Sequence, residues 1–240
     1  MPPALTLLVQ YEAEVQEVRL PLERADPVIP AEIQQRMQIH LASNRLMVVD
    51  DRIRDLAQKV TAGARTPAEK AQAIYRHVIA QMRYDKETPG WGRGDTLRAC
   101  TVGAGNCTDF HSLFISLARA SGIPAQFSIG LPVPSQPEGE IPGYHCWAEF
   151  YLSGVGWVPV DASEAWKSRQ KLEYFFGTYD PNRLTLSTGR DIQLVPKPAA
   201  ETALNIFFFP YVELDGRPVE KDRIQTRFRF RDLTQGGNHA

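Results

Sequence analysis

The chain has 240 residues, of which 43% are hydrophobic, so it can bury a full core in one large domain or in two small ones. Its 27 Lys and Arg residues nearly balance its 28 Asp and Glu residues, which gives no reason to expect binding to nucleic acid or to an anionic membrane. The three cysteines are an odd number, so they do not indicate a disulfide framework, and at least one thiol must stay free within the chain.

The N-terminal region has the pattern of β structure. Residues 5–20 alternate loosely between apolar and polar side chains, which predicts one or two strands and an N-terminal β extension over residues 1–42. Within it, residues 31–42 fit either a short helix or an irregular connector.

The apolar segment 4–9 lacks a basic flank and is too short for the core of a signal peptide. No run reaches the roughly 18 apolar residues of a membrane helix. We therefore expect a soluble protein without membrane insertion, cytoplasmic if Met1 is the native start and exported if a signal peptide has been removed.

Two helices are predicted in the next part of the chain. Asp50 or Asp51 can cap a helix with apolar residues on one face that ends near Gly63. The second start signal is stronger, because Thr66 and Glu69 form a capping box around a proline at the first helical position. Behind that box, apolar residues recur at helical spacing at positions 71, 74, 75, 78, 79 and 82.

A cysteine follows at the start of an apolar helix. The glycine-rich segment 89–95 has no face to bury and is predicted to be a surface loop. It leads directly to residues 105–111, GNCTDFH, and to a helix that ends at Gly122. The spacing of the apolar residues places the Cys107 thiol along the buried stripe of this helix. Free N–H groups and the helix dipole stabilise a thiolate in the first turn, so Cys107 is a candidate nucleophile. Asp109 is expected to interact favourably with the same dipole.

From residue 124 onward the apolar period changes to two. A strand is predicted over residues 125–131, followed by a Pro-rich loop over 132–142. Residues 145–152 and 157–160 are predicted to form a hairpin joined across the sequence Gly-Val-Gly. The region 164–240 is expected to be mainly β and to complete the sheet. Within it, segments 171–179 and 182–190 are ambiguous, strands are predicted over 191–195, 205–213 and 225–232, and a tight turn is predicted at residues 215–216.

The hairpin contains a candidate base and a candidate orienting acid. His145 begins the first strand, and Asp161 closes the second. A register that pairs Trp147 with Asp161 would make His145 and Asp161 diagonal neighbours, with Cβ atoms about 7–8 Å apart or less. That register needs an odd-numbered loop or a bulge, whereas an even loop would put the two residues on opposite faces. The spacing permits the pair without proving it.

The sequence blocks GNCTDFHSLFISLARASGIPAQ, GYHCWAEFYL and GWVPVDAS together resemble the transglutaminase-like superfamily. The papain-like core of this family presents cysteine, histidine and aspartate in this chain order, and the resemblance extends from near Thr66 to about Ser163. It implies an α+β fold in which the cysteine helix packs on an antiparallel sheet, with additional terminal strands. It also implies Cys107 as nucleophile, His145 as general base and acid, and Asp161 as the group that orients the histidine. We expect a single domain over residues 1–240 with its catalytic core at 66–163.

An acyl-transfer enzyme must also stabilise an oxyanion. The backbone N–H of Cys107 is the natural first donor. A second donor could come from Asn106 or from the indole of Trp91 or Trp147. Trp147 is next but one to His145 and is more simply expected to shield the imidazole.

A metal site is the rival interpretation. Cys107 and His111 form an i, i+4 pair on one helix face, and His145 with Cys146 could add ligands for zinc. Against this interpretation, His145 and Cys146 point to opposite faces of their strand, and Cys100 lacks a CxxC partner. His111 is then a buried helix residue with local hydrogen bonds, and Cys100 and Cys146 are unpaired core or loop thiols. No calcium loop of the DxDxDG type is present in the sequence, so we expect neither a metal nor a cofactor.

The chemistry implied by the resemblance is attack by Cys107 on an amide or peptide carbonyl, which gives a thioester. Release by water would make the protein a peptidase or amidase with a protein or peptide substrate. We favour this reaction because the open approach over residues 89–95 offers no evident tunnel for a second substrate. One alternative is a true amine-accepting protein transglutaminase. An alternative of another class is a non-catalytic binding or scaffold module that keeps the groove.

Overall fold

A helix packed on a four-stranded antiparallel sheet forms the centre of the structure, as the α+β prediction requires. The computed structural model describes residues 5–200 and 203–233. Its α-helices are α1 (Ala31–Arg36), α2 (Asp51–Val60), α3 (Pro67–Gln81), α4 (Thr96–Val102), α5 (Cys107–Ala120) and α6 (Ala162–Lys167). Its strands are β1 (Val18–Arg19), β2 (Arg83–Tyr84), β3 (Ala104–Gly105), β4 (Ala125–Pro132), β5 (Glu138–Ile141), β6 (His145–Leu152), β7 (Gly156–Val160), β8 (Thr178–Tyr179), β9 (Arg183–Thr188), β10 (Glu213–Leu214), β11 (Arg217–Pro218) and β12 (Phe228–Arg231).

The central sheet has the strand order β7-β6-β4-β9, and each neighbouring pair is antiparallel. Helix α5 packs on β4 and β6 and also contacts α2, α3 and α4. Between helix and sheet, the ring centroids of Phe114 and Phe150 lie 5.9 Å apart. Every residue of α5 from Cys107 to Arg119 is buried. The cysteine helix is therefore the centre of the hydrophobic core, and its first residue is buried.

The two predicted helix starts are confirmed. Thr66 accepts a hydrogen bond from the N–H of Glu69 at 3.2 Å, and the Glu69 carboxylate accepts one from the N–H of Thr66 at 3.1 Å. Asp50 caps α2 by accepting a hydrogen bond from the N–H of Ile53 at 2.9 Å. Each cap satisfies N–H groups that have no partner within the helix, so the first turns are stabilised by local sequence.

The β6–β7 hairpin adopts the register that needs an odd-numbered loop. Ala148 pairs with Val160, and the pairing ends at a three-residue loop, residues 153–155. Extending this register by one residue puts Asp161 opposite Trp147. The structure thus decides between the two arrangements that the sequence leaves open, and it selects the one that brings the histidine and the aspartate onto one face.

Two short helices near Cys107 and Asp161, α4 and α6, are not predicted from the sequence. The glycine-rich loop does not lead directly to the cysteine helix, because α4 intervenes, and Asp95 caps it by accepting from the N–H of Arg98 at 3.1 Å. Helix α6 begins immediately after Asp161, which accepts from the N–H of Glu164 at 2.9 Å. These helices have seven and six residues, which is too short for a periodic apolar pattern to show in the sequence.

The terminal regions contain less strand than predicted. Of residues 5–20, only the two residues of β1 are in a strand, which pairs with β8. Segments 191–195 and 205–213 form no regular strand apart from Glu213 in β10. Conversely, the predicted loop 132–142 contains β5, which pairs with β12, and the ambiguous segment 182–190 supplies β9 of the central sheet. The predicted turn at residues 215–216 is confirmed between β10 and β11.

Parts of the predicted N- and C-terminal β regions, residues 1–4, 201–202 and 234–240, lie outside the described residues. The division into an N-terminal extension, a catalytic core and a C-terminal region stays a prediction. Across residues 5–200 and 203–233, each helix is too short or too polar to span a lipid bilayer.

Candidate active site

Cys107 is the first residue of α5 and lies where this helix meets the start of β6. Asn106 is the N-cap residue, and its side-chain oxygen accepts a hydrogen bond from the N–H of Thr108 at 2.9 Å. Cys107 is 3% exposed, and its thiol lies near enough to the side chains of Cys146 and His145 for both of them to lower its pKa. The first two residues of β6 therefore both lie near the thiol, although strand alternation sends their side chains to opposite faces.

His145 and Asp161 are in direct contact. The Nε2 atom of His145 lies 2.6 Å from Oδ2 of Asp161. Because Nε2 faces the carboxylate, Nδ1 is the ring nitrogen left for Cys107. His145 is 8% exposed and Asp161 is fully buried. The structure thus brings together Cys107, His145 and Asp161, with the imidazole between the thiol and the carboxylate.

Arg183 is a further residue of the site, and the sequence does not predict it. Its Nη2 lies 2.7 Å from Oδ2 of Asp161, the same oxygen that His145 contacts. Arg183 begins β9, in a segment whose pattern favours neither helix nor strand. A lone arginine in such a segment carries no local signal, and its partner lies at the opposite edge of the sheet, so the sequence alone could not have identified it.

The other oxygen of Asp161 is also fully occupied. Oδ1 accepts hydrogen bonds from the Ser163 hydroxyl and from the Glu164 N–H, each at 2.9 Å. Asp161 is therefore both the N-cap of α6 and the partner of His145. Since the cap holds one oxygen, the second oxygen has a defined direction toward the imidazole.

His111 links α5 to the same carboxylate. Its Nε2 accepts a hydrogen bond from the N–H of Ala162 at 3.1 Å and lies 3.4 Å from Oδ1 of Asp161. Its Nδ1 lies 3.8 Å from the Cys146 sulfur. The predicted burial of His111 is confirmed, because it is fully buried. Its partners, however, lie on β6 and α6, so the expectation of purely local hydrogen bonds is wrong.

The charges of the site stabilise a thiolate and an imidazolium. The hydrogen bond from the Cys146 thiol, assisted by His145, lowers the pKa of Cys107 well below its usual value despite the opposing effect of burial. Burial alone would lower the pKa of His145, but the Asp161 carboxylate and the Cys107 thiolate raise this pKa to about 9. Burial would raise the pKa of Asp161, yet the charges of Arg183 and His145 hold it well below its usual value. The favoured state at neutral pH is a thiolate beside an imidazolium.

Two of the predicted oxyanion donors remain available. The N–H of Cys107 donates to none of the residues that the structure describes. The N–H of Asn106 is occupied by the Asp109 carboxylate at 3.0 Å. The side-chain amide of Asn106 donates to the Tyr144 hydroxyl at 3.3 Å, which leaves its second hydrogen for a substrate. The role of both groups stays a prediction.

The two predicted tryptophans lie in different surroundings. Trp147 is 2% exposed, and its ring centroid lies 6.3 Å from that of His145 with the planes tilted by 33°. This position matches the expectation that Trp147 shields the imidazole. Trp91 lies in the glycine-rich loop and is 38% exposed. A role for either indole in binding an oxyanion stays a prediction.

Asp109 ties the glycine-rich loop to the cysteine helix. Its carboxylate accepts hydrogen bonds from the N–H groups of Gly92 at 2.7 Å and Gly94 at 3.1 Å, in addition to the one from Asn106. Asp109 is fully buried, so its role extends beyond the expected interaction with the helix dipole. The loop is held beside the first turn of α5 by a charged acceptor.

The metal interpretation needs several possible ligands grouped in space. Within the described part of the chain, no three His, Cys, Asp or Glu side chains are grouped so that they could hold a metal ion. Cys100, Cys107 and Cys146 are all unpaired thiols.

Part of the chain matches the model of a known protein family. Residues 54–162 match the model of the transglutaminase-like superfamily, so the resemblance predicted from the three sequence blocks is confirmed. A Haemophilus influenzae protein described as uncharacterized is 30% identical over 225 residues, which cover 79% of this chain and 61% of that protein. The chain thus spans about three-fifths of the length of this relative.

A solved structure shows the same fold. The crystal structure of a "putative cysteine protease" from Cytophaga hutchinsonii superposes with a TM-score of 0.56 at 21% identity, covering 90% of this chain and 69% of that one. The periplasmic domain of TgpA from Pseudomonas aeruginosa gives a TM-score of 0.43 at 19% identity, over 58% of this chain and 50% of that one. Residues 54–162, which match the model of the transglutaminase-like superfamily, include Cys107, His145 and Asp161.

Proposed function

We propose that the protein is a cysteine hydrolase, a peptidase or amidase that acts on amide or peptide carbonyls through a thioester at Cys107. The observation that supports this proposal most strongly is the contact of the His145 imidazole with the Asp161 carboxylate at 2.6 Å, beside a Cys107 thiol whose pKa that imidazole helps to lower. A buried packing cysteine needs no such partners, whereas a nucleophilic thiol needs a base and an orienting group.

In the acylation half of this reaction, the Cys107 thiolate attacks the carbonyl carbon and forms a tetrahedral oxyanion. The free N–H of Cys107 and the side-chain amide of Asn106 lie at the start of α5 and would stabilise that oxyanion. The His145 imidazolium then donates its Nδ1 proton to the leaving amine as the C–N bond breaks, which leaves a thioester on Cys107 and a neutral imidazole.

In the second half, neutral His145 accepts a proton from a water molecule, which attacks the thioester carbon. Collapse of the second tetrahedral intermediate breaks the C–S bond, releases the carboxylic acid product and restores the thiolate and the imidazolium. Asp161 stays ionised throughout, since its role is to hold the imidazole and to stabilise its positive charge.

We favour water over an amine as the second reactant. Transfer to an amine requires a closed site that excludes water. The glycine-rich loop beside the start of α5 is instead a surface segment, with Trp91 38% exposed. Hydrolysis does not require the site to exclude water, whereas transfer to an amine does.

Incubation with a peptide library in the presence of a labelled primary amine tests the proposal. We expect shortened or deamidated peptides with the wild-type protein and none with Cys107→Ala. The matched control is Cys100→Ala, which removes a partly buried thiol on α4 and should leave turnover unchanged. Incorporation of the labelled amine would assign transfer in place of hydrolysis.

A binding module without catalysis predicts a different result. In that case no product forms, and iodoacetamide at neutral pH labels Cys107 no faster than Cys100 or Cys146. Equal labelling in the wild type and in His145→Ala would show that the thiol is not activated, and the proposed function would then be wrong.

A further inference from the structure

Arg183 and His145 share one oxygen of Asp161. The two contacts are 2.7 Å for Arg183 Nη2 and 2.6 Å for His145 Nε2, both to Oδ2. The Arg183 side chain is 8% exposed, and that of Asp161 is fully buried. A guanidinium with little access to water interacts strongly with a carboxylate at this distance, so the two cations compete for the charge of one anion.

The backbone around Arg183 fixes where its side chain begins. Arg183 opens β9 after a turn in which its N–H donates to the Asp180 carbonyl at 3.2 Å and the N–H of Asn182 donates to the Asp180 carboxylate at 2.8 Å. The carbonyl of Asn182 then accepts from the N–H of Val133 at 2.8 Å, next to β4. The backbone at Arg183 is thus held beside the central sheet by hydrogen bonds.

Two aromatic rings lie beside the guanidinium group of Arg183 and position it. The guanidinium carbon of Arg183 lies 5.6 Å from the ring centroid of Trp147 and 5.4 Å from that of Phe175. Strand β9 is at one edge of the central sheet, and β7, which leads into Asp161, is at the other. The side chain therefore crosses the sheet face over Trp147, whose ring lies near that of His145, to reach the carboxylate. Cation–π contacts of this kind are made more often by arginine than by lysine.

We propose that Arg183 is a positioning residue of the reaction, which holds the Asp161 carboxylate against His145 and takes part of its negative charge. This inference rests on the proposed function. Its consequence is chemical, because an imidazolium paired with an unshared carboxylate gives up its proton less readily. By sharing the oxygen, Arg183 keeps His145 a better acid toward the leaving group.

Other charged and titratable groups also face this pair. They are Cys107 and His111 on α5, Cys146 on β6 and Tyr75 on α3. None of them is changed by a substitution at position 183, so a difference in the His145 titration between wild type and variant reports the loss of the guanidinium.

The test is an NMR titration of the His145 ring in the wild-type protein and in Arg183→Met, with the signal assigned by its loss in His145→Gln. The pKa of His145 is about 9 in the wild type. In Arg183→Met we expect it to rise by about one unit, because an opposite or like charge within 4–6 Å shifts a pKa by this order. If Arg183→Met does not fold, Arg183→Gln removes the same charge while keeping an amide donor and carries the same expectation.

Arg119→Met is the matched control. Arg119 is also buried, at 6% exposed, and it donates to the carbonyls of Ala125 and Ala42, away from the candidate triad. Its loss should lower the melting temperature without moving the His145 titration. A His145 pKa that is unchanged or lowered in a folded Arg183 variant would overturn the inference. The titration needs no turnover, so this outcome is separate from a failure of the proposed hydrolase activity.

Discussion

The Nε2 atom of His145 lies 2.6 Å from Oδ2 of Asp161, although His145 is the first residue of β6 and Asp161 follows the last residue of β7. Their contact depends on the three-residue loop of the β6–β7 hairpin, since a loop shorter or longer by one residue would turn Asp161 to the other face. It also depends on α6, because the first turn of that helix holds the second carboxylate oxygen. The geometry of the site is therefore set by a turn and a helix cap at either end of one short strand.

The pH dependence of turnover should show a plateau that ends near pH 9. Turnover needs a Cys107 thiolate and a protonated His145. The pKa of Cys107 is held well below its usual value, and that of His145 is raised to about 9. As the pH rises through about 9, His145 loses its proton and kcat/KM should fall, whereas on the acid side activity should persist until Cys107 is protonated. A profile that falls instead between pH 6 and 7 would contradict the ion pair.

Asp161→Asn should reduce kcat/KM by roughly 10³- to 10⁴-fold. The asparagine amide can donate to Nε2 of His145 and so hold the proton on Nδ1, the nitrogen that must accept the proton from Cys107. The pKa of His145 should fall from about 9 toward its ordinary value of 6.5. The fall in activity at basic pH should then begin at a lower pH. Kinetics across pH 5–10 measure both effects.

Asparagine is also a good N-cap, so α6 should still form in this variant. The control is Asp95→Asn, which changes the cap of α4 in the same way and should leave the activity profile unchanged. Equal activity losses in the two variants would indicate damage to helix capping and not to the chemistry.

Local signals account for the parts of the structure that the sequence predicts well. The capping box at Thr66 and the apolar period behind Cys107 both act within one or two turns, and the structure follows them. The same holds for the alternation of β6. In each case the residues that determine the element are neighbours along the chain, so their pattern is visible in the sequence.

Long-range pairing accounts for the parts that are missed. Strand β5 lies in a Pro-rich segment and becomes a strand because β12, about 90 residues later, pairs with it. Arg183 is missed for the same reason, since its partner Asp161 is reached across the sheet. Cys146 is predicted to be an unpaired core or loop thiol, and its position near Cys107 follows only from the packing of α5 on β6.

Cys146→Ala should make the Cys107 thiol harder to ionise. Cys146 is fully buried, and its hydrogen bond is the largest of the effects that lower the pKa of Cys107. Without this donor, the pH at which alkylation of Cys107 by iodoacetamide is half-maximal should rise by about one unit, the size expected for a lost hydrogen bond to a charged group. Alkylation rates resolved by peptide mass spectrometry measure this shift.

Cys146→Ser is the matched control, because it keeps a donor at nearly the same place. Its alkylation profile should lie closer to the wild type than that of Cys146→Ala. No shift in Cys146→Ala, or an equal shift in both variants, would show that the second thiol does not stabilise the thiolate.

Gly130→Ala should destabilise the protein by on the order of 3 kcal/mol. Gly130 pairs with His145 across β4 and β6, at the point where the register between β4 and β9 shifts. A Cβ atom there would lie 1.9 Å from the carbonyl oxygen of Leu184. Since that neighbour is backbone, β9 itself would have to move away from β4, and Arg183 would move with it. Urea unfolding measures the loss of stability, and iodoacetamide labelling of Cys107 reports any disturbance of the site.

In contrast, a Cβ atom added at Gly63 meets nothing within 4 Å, so Gly63→Ala should change the free energy of unfolding by less than about 0.5 kcal/mol. Similar stabilities of the two variants would show that the close approach of β4 and β9 is not what requires glycine at position 130.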